Sequence, residues 1–390
     1  MTADLGDRVA SVRKRRGLTQ RELSDMSGIS LSLIKKIEQG ERTDVRLETL
    51  RKLAVGLRVQ TSVLQGERSD AEYADAGTGE LWAEVRRALA GVYADVPDEQ
   101  PTAAGVAAEI DRVRPLLGTH AYADAAAMLP ALIRDADALD DVDGRAVRGR
   151  LLGMAGWLLV QNRQFDTAEM ALTSAIDQLD DPVETASAAN TLSWSMLRQG
   201  KLQSAQQIAV EWADRIEPRF SRATARELAA WGRMWLRVSN AAIRDNAPGA
   251  AFDALSLAEA AAARIGREGI ADSQTVRAYG PVTVAHIVAE THVIADEPDR
   301  AIAVADRTPP PTFQPTNAGR LRHRLDIAHA HSKLGHWDQA MGELRTLSQT
   351  APEWIAQQRY ARDIVGGLVE RRRTLTADMR ELADVVRLEY

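Results

Sequence analysis

Two helix-start and three helix-stop signals fall between Gly17 and Gly40, so close together that the chain can fold there only into short helices joined by tight turns. Leu5, Val9 and Val12 recur at spacings of four and three, which predicts a first helix from Asp4 to Arg15 ended by Gly17. Thr19-Gln20-Arg21-Glu22 is a capping box: the Thr19 hydroxyl can accept the Glu22 amide while the Glu22 carboxylate accepts the amide of Thr19. It opens a second helix with Leu23 and Met26 facing inward, and Ser27-Gly28 forms the turn. Ser30 is placed to cap a third helix running through Gln39, with Gly40 supplying a left-handed exit. A fourth helix is expected from Arg46 to Val55, and a short fifth around Val63-Leu64.

The runs Gly17-Leu18-Thr19-Gln20-Arg21-Glu22-Leu23, Ser27-Gly28-Ile29-Ser30 and Ile34-Lys35-Lys36-Ile37-Glu38-Gln39-Gly40, followed by Leu47-Glu48-Thr49-Leu50-Arg51-Lys52-Leu53-Ala54, resemble the XRE/Cro-type helix-turn-helix family. The resemblance covers residues 4 to 65, about a sixth of the chain. It implies a five-helix, lambda-repressor-like head whose third helix enters the DNA major groove, where base edges carry an unambiguous donor and acceptor code. By position in the motif, Leu31, Ser32 and Lys36 face base edges, with Lys35 beside them and Gln20 approaching from the start of the second helix. Leu31 stands where a polar residue is common, which favours contact with a thymine methyl. Gln39, Arg46 and the amides at helix starts are expected at phosphates, and Ser30, at the start of the third helix, is counted among the DNA-binding residues. Arg13 matches a family arginine that pairs with Glu38, a structural role. Lys14, Arg15 and Arg16 fit either a phosphate contact or a solvated basic face.

Charge is divided in the same way. Residues 1–66 hold 13 Lys and Arg against 8 Asp and Glu, a balance of +5, and the rest of the chain holds 36 basic and 47 acidic residues, a balance of −11. A basic head on an acidic body fits nucleic-acid binding at one end. Cys is absent, which removes disulfides, thiolate metal sites and cysteine nucleophiles together. The first residues carry charges where a signal peptide would be apolar, and no run of about 18 apolar residues occurs, so a cytoplasmic protein without membrane association is expected.

Residues 67–80 are polar and Gly-containing and are expected to form a linker, with a helical turn around Ala71 to Ala74. From 81 to 390 the spacing is helical throughout. A bulky residue followed three later by Ala recurs after helix breaks: Tyr122 with Ala125, Phe165 with Ala168, Leu202 with Ala205, Trp337 with Ala340, and more weakly Pro298 with Ala301. The first intervals, 43 and 37 residues, exceed the roughly 34 of a tetratricopeptide unit, yet the pattern resembles the turn and second helix of drifted tetratricopeptide hairpins. In such hairpins the small residue allows close helix crossing and the bulky one plugs the space beside it. The fold expected is therefore all-α, a helix-turn-helix head followed by an α-solenoid of about six hairpins between 101 and 350. A helix from Glu353 to Arg372 and a last one from Thr376 to Arg387 follow, and Pro309-Pro310-Pro311 breaks the array.

A head on such a body resembles the peptide-sensing regulators of Gram-positive bacteria and a broad group of actinobacterial regulators, the Ala- and Arg-rich composition favouring the latter. The resemblance implies a homodimer on an inverted-repeat operator in double-stranded DNA, with a peptide, small-molecule or protein effector held by the body. Peptide sensors hold a ligand backbone with asparagine amides, which makes Asn190 and Asn240 candidates. Trp231, Arg233, Trp235 and Arg237 complete a candidate pocket. Isolated asparagines in repeat helices more often serve interhelical hydrogen bonds, and aromatic stripes at helical spacing more often serve the core. An antitoxin-like autorepressor whose repeat domain masks a partner protein is the alternative. No phosphate-cradling glycine loop, zinc-protease helix or convergent catalytic set is found, so no enzyme, metal or cofactor is expected.

Overall fold

The computed structural model describes residues 4–65, 79–93, 100–119, 121–269, 271–272, 274–275, 278–308, 317–356, 358–370 and 375–388. Among these residues it contains 21 helices and no strand. The fold is all-α, a five-helix helix-turn-helix head followed by a solenoid of helical hairpins. The expected linker lies mostly outside the described residues, as does the triple proline.

The head comprises α1 (Leu5–Arg15), α2 (Gln20–Ser27), α3 (Leu31–Glu38), α4 (Leu47–Leu57) and α5 (Thr61–Gln65). Its punctuation is as the sequence predicts. Gly17, Gly28 and Gly40 all adopt left-handed φ, between 67° and 73°. Leu5, Val9, Leu23, Ile29, Ile34, Ile37, Val45, Leu50, Leu53, Leu57 and Leu64 form one core, each side chain contributing about 1.5–3 kcal/mol by burial. Met26 is a correction, since it is 45% exposed. The inward face of α2 is Leu23 with Ser27, because α4 approaches Ser27 at Gly56, where an added Cβ would lie 3.0 Å from the Ser27 Cβ. A small residue is needed there, and the methionine is turned outward.

Beyond the head come α6 (Gly79–Leu89) and six hairpins. These are α7 (Ala103–Gly118) with α8 (Tyr122–Asp137), α9 (Val142–Gln161) with α10 (Phe165–Gln178), α11 (Pro182–Arg198) with α12 (Leu202–Arg215), α13 (Ala225–Arg244) with α14 (Pro248–Ile265), α15 (Pro281–Ile294) with α16 (Pro298–Arg307), and α17 (Asn317–Leu334) with α18 (Trp337–Thr350). Each bulky marker opens a second helix, and each paired alanine, Ala125, Ala168, Ala205, Ala301 and Ala340, is 0% exposed. A sixth, Ala251, follows Pro248 in the same register and is equally buried. Close approach is also built from glycine: a Cβ on Gly156 of α9 would stand 2.5 Å from the Leu172 side chain of α10.

After α18 the expected single helix is instead two, α19 (Pro352–Ala356) and α20 (Arg359–Val369), followed by α21 (Ala377–Val385). The break lets Ile355 of α19 and Ala361, Ile364, Val365 and Leu368 of α20 enter one core with Met379 and Leu382 of α21. A continuous helix would carry the two faces out of phase. The helices group into two compact units, one of residues up to Arg219 with Arg233–Ala254 and Asp272–Thr275, the other of Phe220–Gly232, Leu255–Ala271 and Val276–Tyr390. No helix among the described residues is long and apolar enough to cross a membrane.

Candidate nucleic-acid interface

The turn between α2 and α3 is pinned from several sides. Both halves of the capping box form: Glu22 N donates to Thr19 Oγ1 at 3.1 Å and Thr19 N to Glu22 Oε2 at 2.7 Å. At the far end of α2, Ser27 Oγ donates to the carbonyl of Leu23 at 2.6 Å and Ser24 Oγ to that of Ile29 at 2.7 Å. Ser30 then caps α3 through its side chain, accepting from Leu33 N at 3.3 Å. The Thr19 and Ser30 hydroxyls satisfy helix-start amides that would otherwise lack partners, and those of Ser27 and Ser24 tie down the turn between the helices.

The register of α3 follows from its apolar pair. Ile34 and Ile37 are 0% exposed. Their burial turns Ser32, Lys35, Lys36 and Gln39 to the opposite, exposed side, with Leu31 half-buried at the start. Two lysines in the last turn also complement the negative end of the helix. Arg46 is the exposed cap of α4, beside a helix start that favours anions. Sequence reasoning passed over Arg42, which is exposed just past α3 and whose backbone N–H donates to the carbonyl of Lys36 at 3.1 Å. Only the basic side chain next to the motif hinted at it.

Behind this face, Glu38 ties three helices together. Arg13 reaches it with a two-pronged contact, Nε to Oε1 at 2.7 Å and Nη2 to Oε2 at 2.8 Å, and also donates to the carbonyl of Leu18 at 2.7 Å. Gln20 Nε2 donates to Glu38 Oε2 at 2.8 Å, so the amide expected near DNA also holds the start of α2 against α3. Burial alone would raise the Glu38 carboxyl, but the hydrogen bonds from Arg13 and Gln20 and the charge of Arg13 overcome it and hold it below its ordinary value. The positioning shell is thus rigid and charge-balanced, and the outward face is free of it.

The candidate ligand residues of the body divide. Asn190 on α11 and Arg233 and Arg237 on α13 come together: Asn190 Nδ2 donates to the carbonyl of Arg233 at 3.0 Å, and Arg237 Nη2 donates to Asn190 Oδ1 at 3.3 Å. Asn240 is engaged elsewhere, its Oδ1 accepting from Arg244 at 3.3 Å. Trp231 is 5% exposed and meets Phe220 edge-on at 5.4 Å, and Trp235 packs with Ala209, Val238 and Ala254. Among the described residues no group of three or more His, Cys, Asp or Glu could hold a metal ion.

Comparison with known proteins agrees with the geometry of the head. A helix-turn-helix family model matches residues 9–64. The HTH-type transcriptional regulator SinR of Bacillus licheniformis is 30% identical over 87 residues, which make up 22% of this chain and 78% of that regulator.

Proposed function

The chain belongs to the helix-turn-helix family of transcriptional regulators, a DNA-binding family, and from that premise we propose that α3 lies in the major groove and reads an operator through Leu31, Ser32, Lys35 and Lys36. The observation that carries this reading is the exposed face of Ser32, Lys35, Lys36 and Gln39 opposite the buried Ile34 and Ile37. In this arrangement Gln20 flanks the groove, Ser30 and Arg46 stand at the starts of α3 and α4, and Gln39 and Arg46 hold phosphates. One such head spans few base pairs, so the regulator acts as a homodimer on an inverted repeat, its half-sites about 34 Å apart or a multiple of that. Residues 1–66 are the reading head, and residues 81–390 are a tetratricopeptide-like body that brings two chains together and receives an effector, with Asn190, Arg233 and Arg237 in its receiving wall. The alanine and bulky-residue pairs at the helix crossings support that assignment.

The test is genome-wide DNA occupancy of the wild type beside a Ser32→Ala, Lys36→Ala variant at matched expression and salt. Discrete inverted-repeat sites that vanish in the variant support the reading. Sites that persist, or an absence of specific sites in both, overturn it. Because both side chains are exposed, the variant keeps its fold.

A further inference from the structure

Connecting segments normally run over the surface, because buried backbone and polar side chains need partners. Three described residues of the connection between α14 and α15 depart from this. Asp272, Gln274 and Thr275 are 7%, 3% and 5% exposed. They sit against the first helices of three successive hairpins, at Gly153 of α9, Glu184 and Ser187 of α11, and Arg233 of α13.

The contacts have the form of a ligand in a site. Ser187 Oγ lies 2.7 Å from both carboxylate oxygens of Asp272, and Arg233 Nε is 3.6 Å from one of them. Asp272 Oδ1 also accepts the backbone amides of Gln274 and Thr275, at 2.9 and 3.1 Å. Gln274 Nε2 donates to the carbonyl of Glu184 at 2.7 Å. Gly153 makes the room: a Cβ there would stand 2.2 Å from Gln274 Oε1. That oxygen is buried without a hydrogen-bond partner among the described residues, so the occupant fits its recess imperfectly. The approach to the segment carries left-handed glycines, Gly266 at φ 69° and Gly269 at φ 91°, where the backbone can swing with little steric cost.

We propose that this recess is a binding site for an acidic peptide, and that Asp272, Gln274 and Thr275 are an internal stand-in which the ligand displaces. The inference rests on the reading of the body as the receiver of a signal and names the chemistry received. A carboxylate seats on Ser187 and Arg233, and an amide two residues later seats on the Glu184 carbonyl over Gly153. A tethered occupant competes as though present at millimolar concentration, so the recess answers only to a ligand that binds more tightly than that. Arg233 also lies about three helical turns before Asp245, the α13-end residue that contacts the head, which gives occupancy a route to the DNA-binding end.

The probe is a fluorescein-labelled peptide with the sequence of residues 271–276, Ala-Asp-Ser-Gln-Thr-Val, titrated into the full chain and followed by anisotropy. The wild type is expected to show no saturation below millimolar peptide. A chain carrying Asp272→Ala and Gln274→Ala, which empties the recess, is expected to bind at least tenfold more tightly. Adding Ser187→Ala and Arg233→Met should reverse that gain. A folded, emptied chain that ignores the peptide, or binds it regardless of Ser187 and Arg233, overturns the proposal. If emptying the recess unfolds the unit, the wild type decides alone. Millimolar unlabelled peptide must then increase tryptic cleavage at Arg267, and unchanged cleavage overturns the proposal. DNA affinity is measured on the same samples. Peptide binding that leaves DNA affinity unchanged supports the recess and overturns the signal-receiver reading, whereas a head that binds DNA beside an unresponsive recess overturns only the recess.

Discussion

Ser62 and Asp245 are 183 positions apart in the sequence, yet the backbone amide of Ser62 donates to Asp245 Oδ1 at 2.7 Å and its hydroxyl to Oδ2 at 3.1 Å. Asp245 thus caps α5 of the head from the end of α13 in the body. Around it, Asn246 Nδ2 donates to the carbonyl of Val59 at 3.1 Å, Gln203 Nε2 to Ser62 Oγ at 3.2 Å, and Leu47 packs with Met196, Leu197 and Leu202.

Replacing Asp245 by alanine is expected to free the start of α5 at a cost of about 1 kcal/mol, a typical value for a lost helix cap. Amide exchange at Ser62 should rise several-fold, while Asp245→Asn, which keeps an acceptor and gains a donor for the Ser62 hydroxyl, should leave it near the wild-type rate. Burial raises the Asp245 carboxyl above its ordinary 3.8, against the bonds from Ser62 and Thr61. A raised acid binds its proton more tightly in the docked state, so its contribution to docking grows as pH falls towards that raised value. Protection of α5, corrected for intrinsic exchange, should therefore not weaken between about pH 7 and about pH 5.

Arg13 and Glu38 form a pair whose side chains are only 11% and 6% exposed. Arg13→Met leaves a buried carboxylate without its partner and should destabilise the head by about 3–5 kcal/mol, read by native-state hydrogen exchange of α1 to α3. Because the Glu38 carboxyl is held below its ordinary 4.5, the stability it supplies is complete above that pH and is lost as pH falls through the lower, folded value. Glu38→Gln should remove this acid-side loss while costing stability at neutral pH.

At Gly6 a Cβ would stand 2.3 Å from the carbonyl oxygen of Ile37, a backbone atom that cannot rotate aside. Gly6→Ala should push α1 off α3 and cost about 1–3 kcal/mol of head stability. The same change at Gly249, which has nothing within 4 Å of the added carbon, should be neutral or stabilising by up to about 1 kcal/mol through helix propensity. Equal effects in denaturant titrations would show that the contact at Gly6 is not as tight as described.

His286 and His323 stack with ring centroids 3.9 Å apart and planes at 11°. Burial lowers His286 to about 4, assisted by Arg320, and lowers His323 to about 3, assisted by His286 and Arg324 against the opposing charge of Glu290. Both stay neutral in the fold and take up protons once unfolded. Stability of this unit should therefore fall as pH drops below about 6.5 and continue falling towards about 4. A His286→Phe, His323→Phe chain, compared by urea midpoint at matched pH values, should show a flatter profile.

The sequence made most of the head legible because its determinants are local: Thr19 with Glu22, Ser30 with Leu33, and glycines at positive φ all act within a few residues. Met26 was misread because two inward registers fit α2, and the choice between them was made by Gly56, in another helix. In the body the crossing alanines behind Tyr122, Phe165, Leu202 and Trp337 were visible and Ala301 behind Pro298 more weakly, while Ala251 behind Pro248 was passed over. Contacts that join distant segments left no local pattern. Nothing near Asp245 points to Ser62, and nothing near Asp272 points to Ser187. The break between α19 and α20 is of the same kind, set by the core that both helices share with α21.

The six alanines at the helix crossings fix contact points but not the lengths of chain between them. A single methyl is the ceiling at each crossing, while the turns between crossings face no such ceiling. Inserted or deleted residues in those turns should leave neighbouring hairpins in register, whereas one extra carbon at a crossing must separate two helices. Relatives that diverge in length should therefore keep these methyls and differ in the turns, which makes the alanines a ruler for aligning chains whose other residues have drifted beyond comparison.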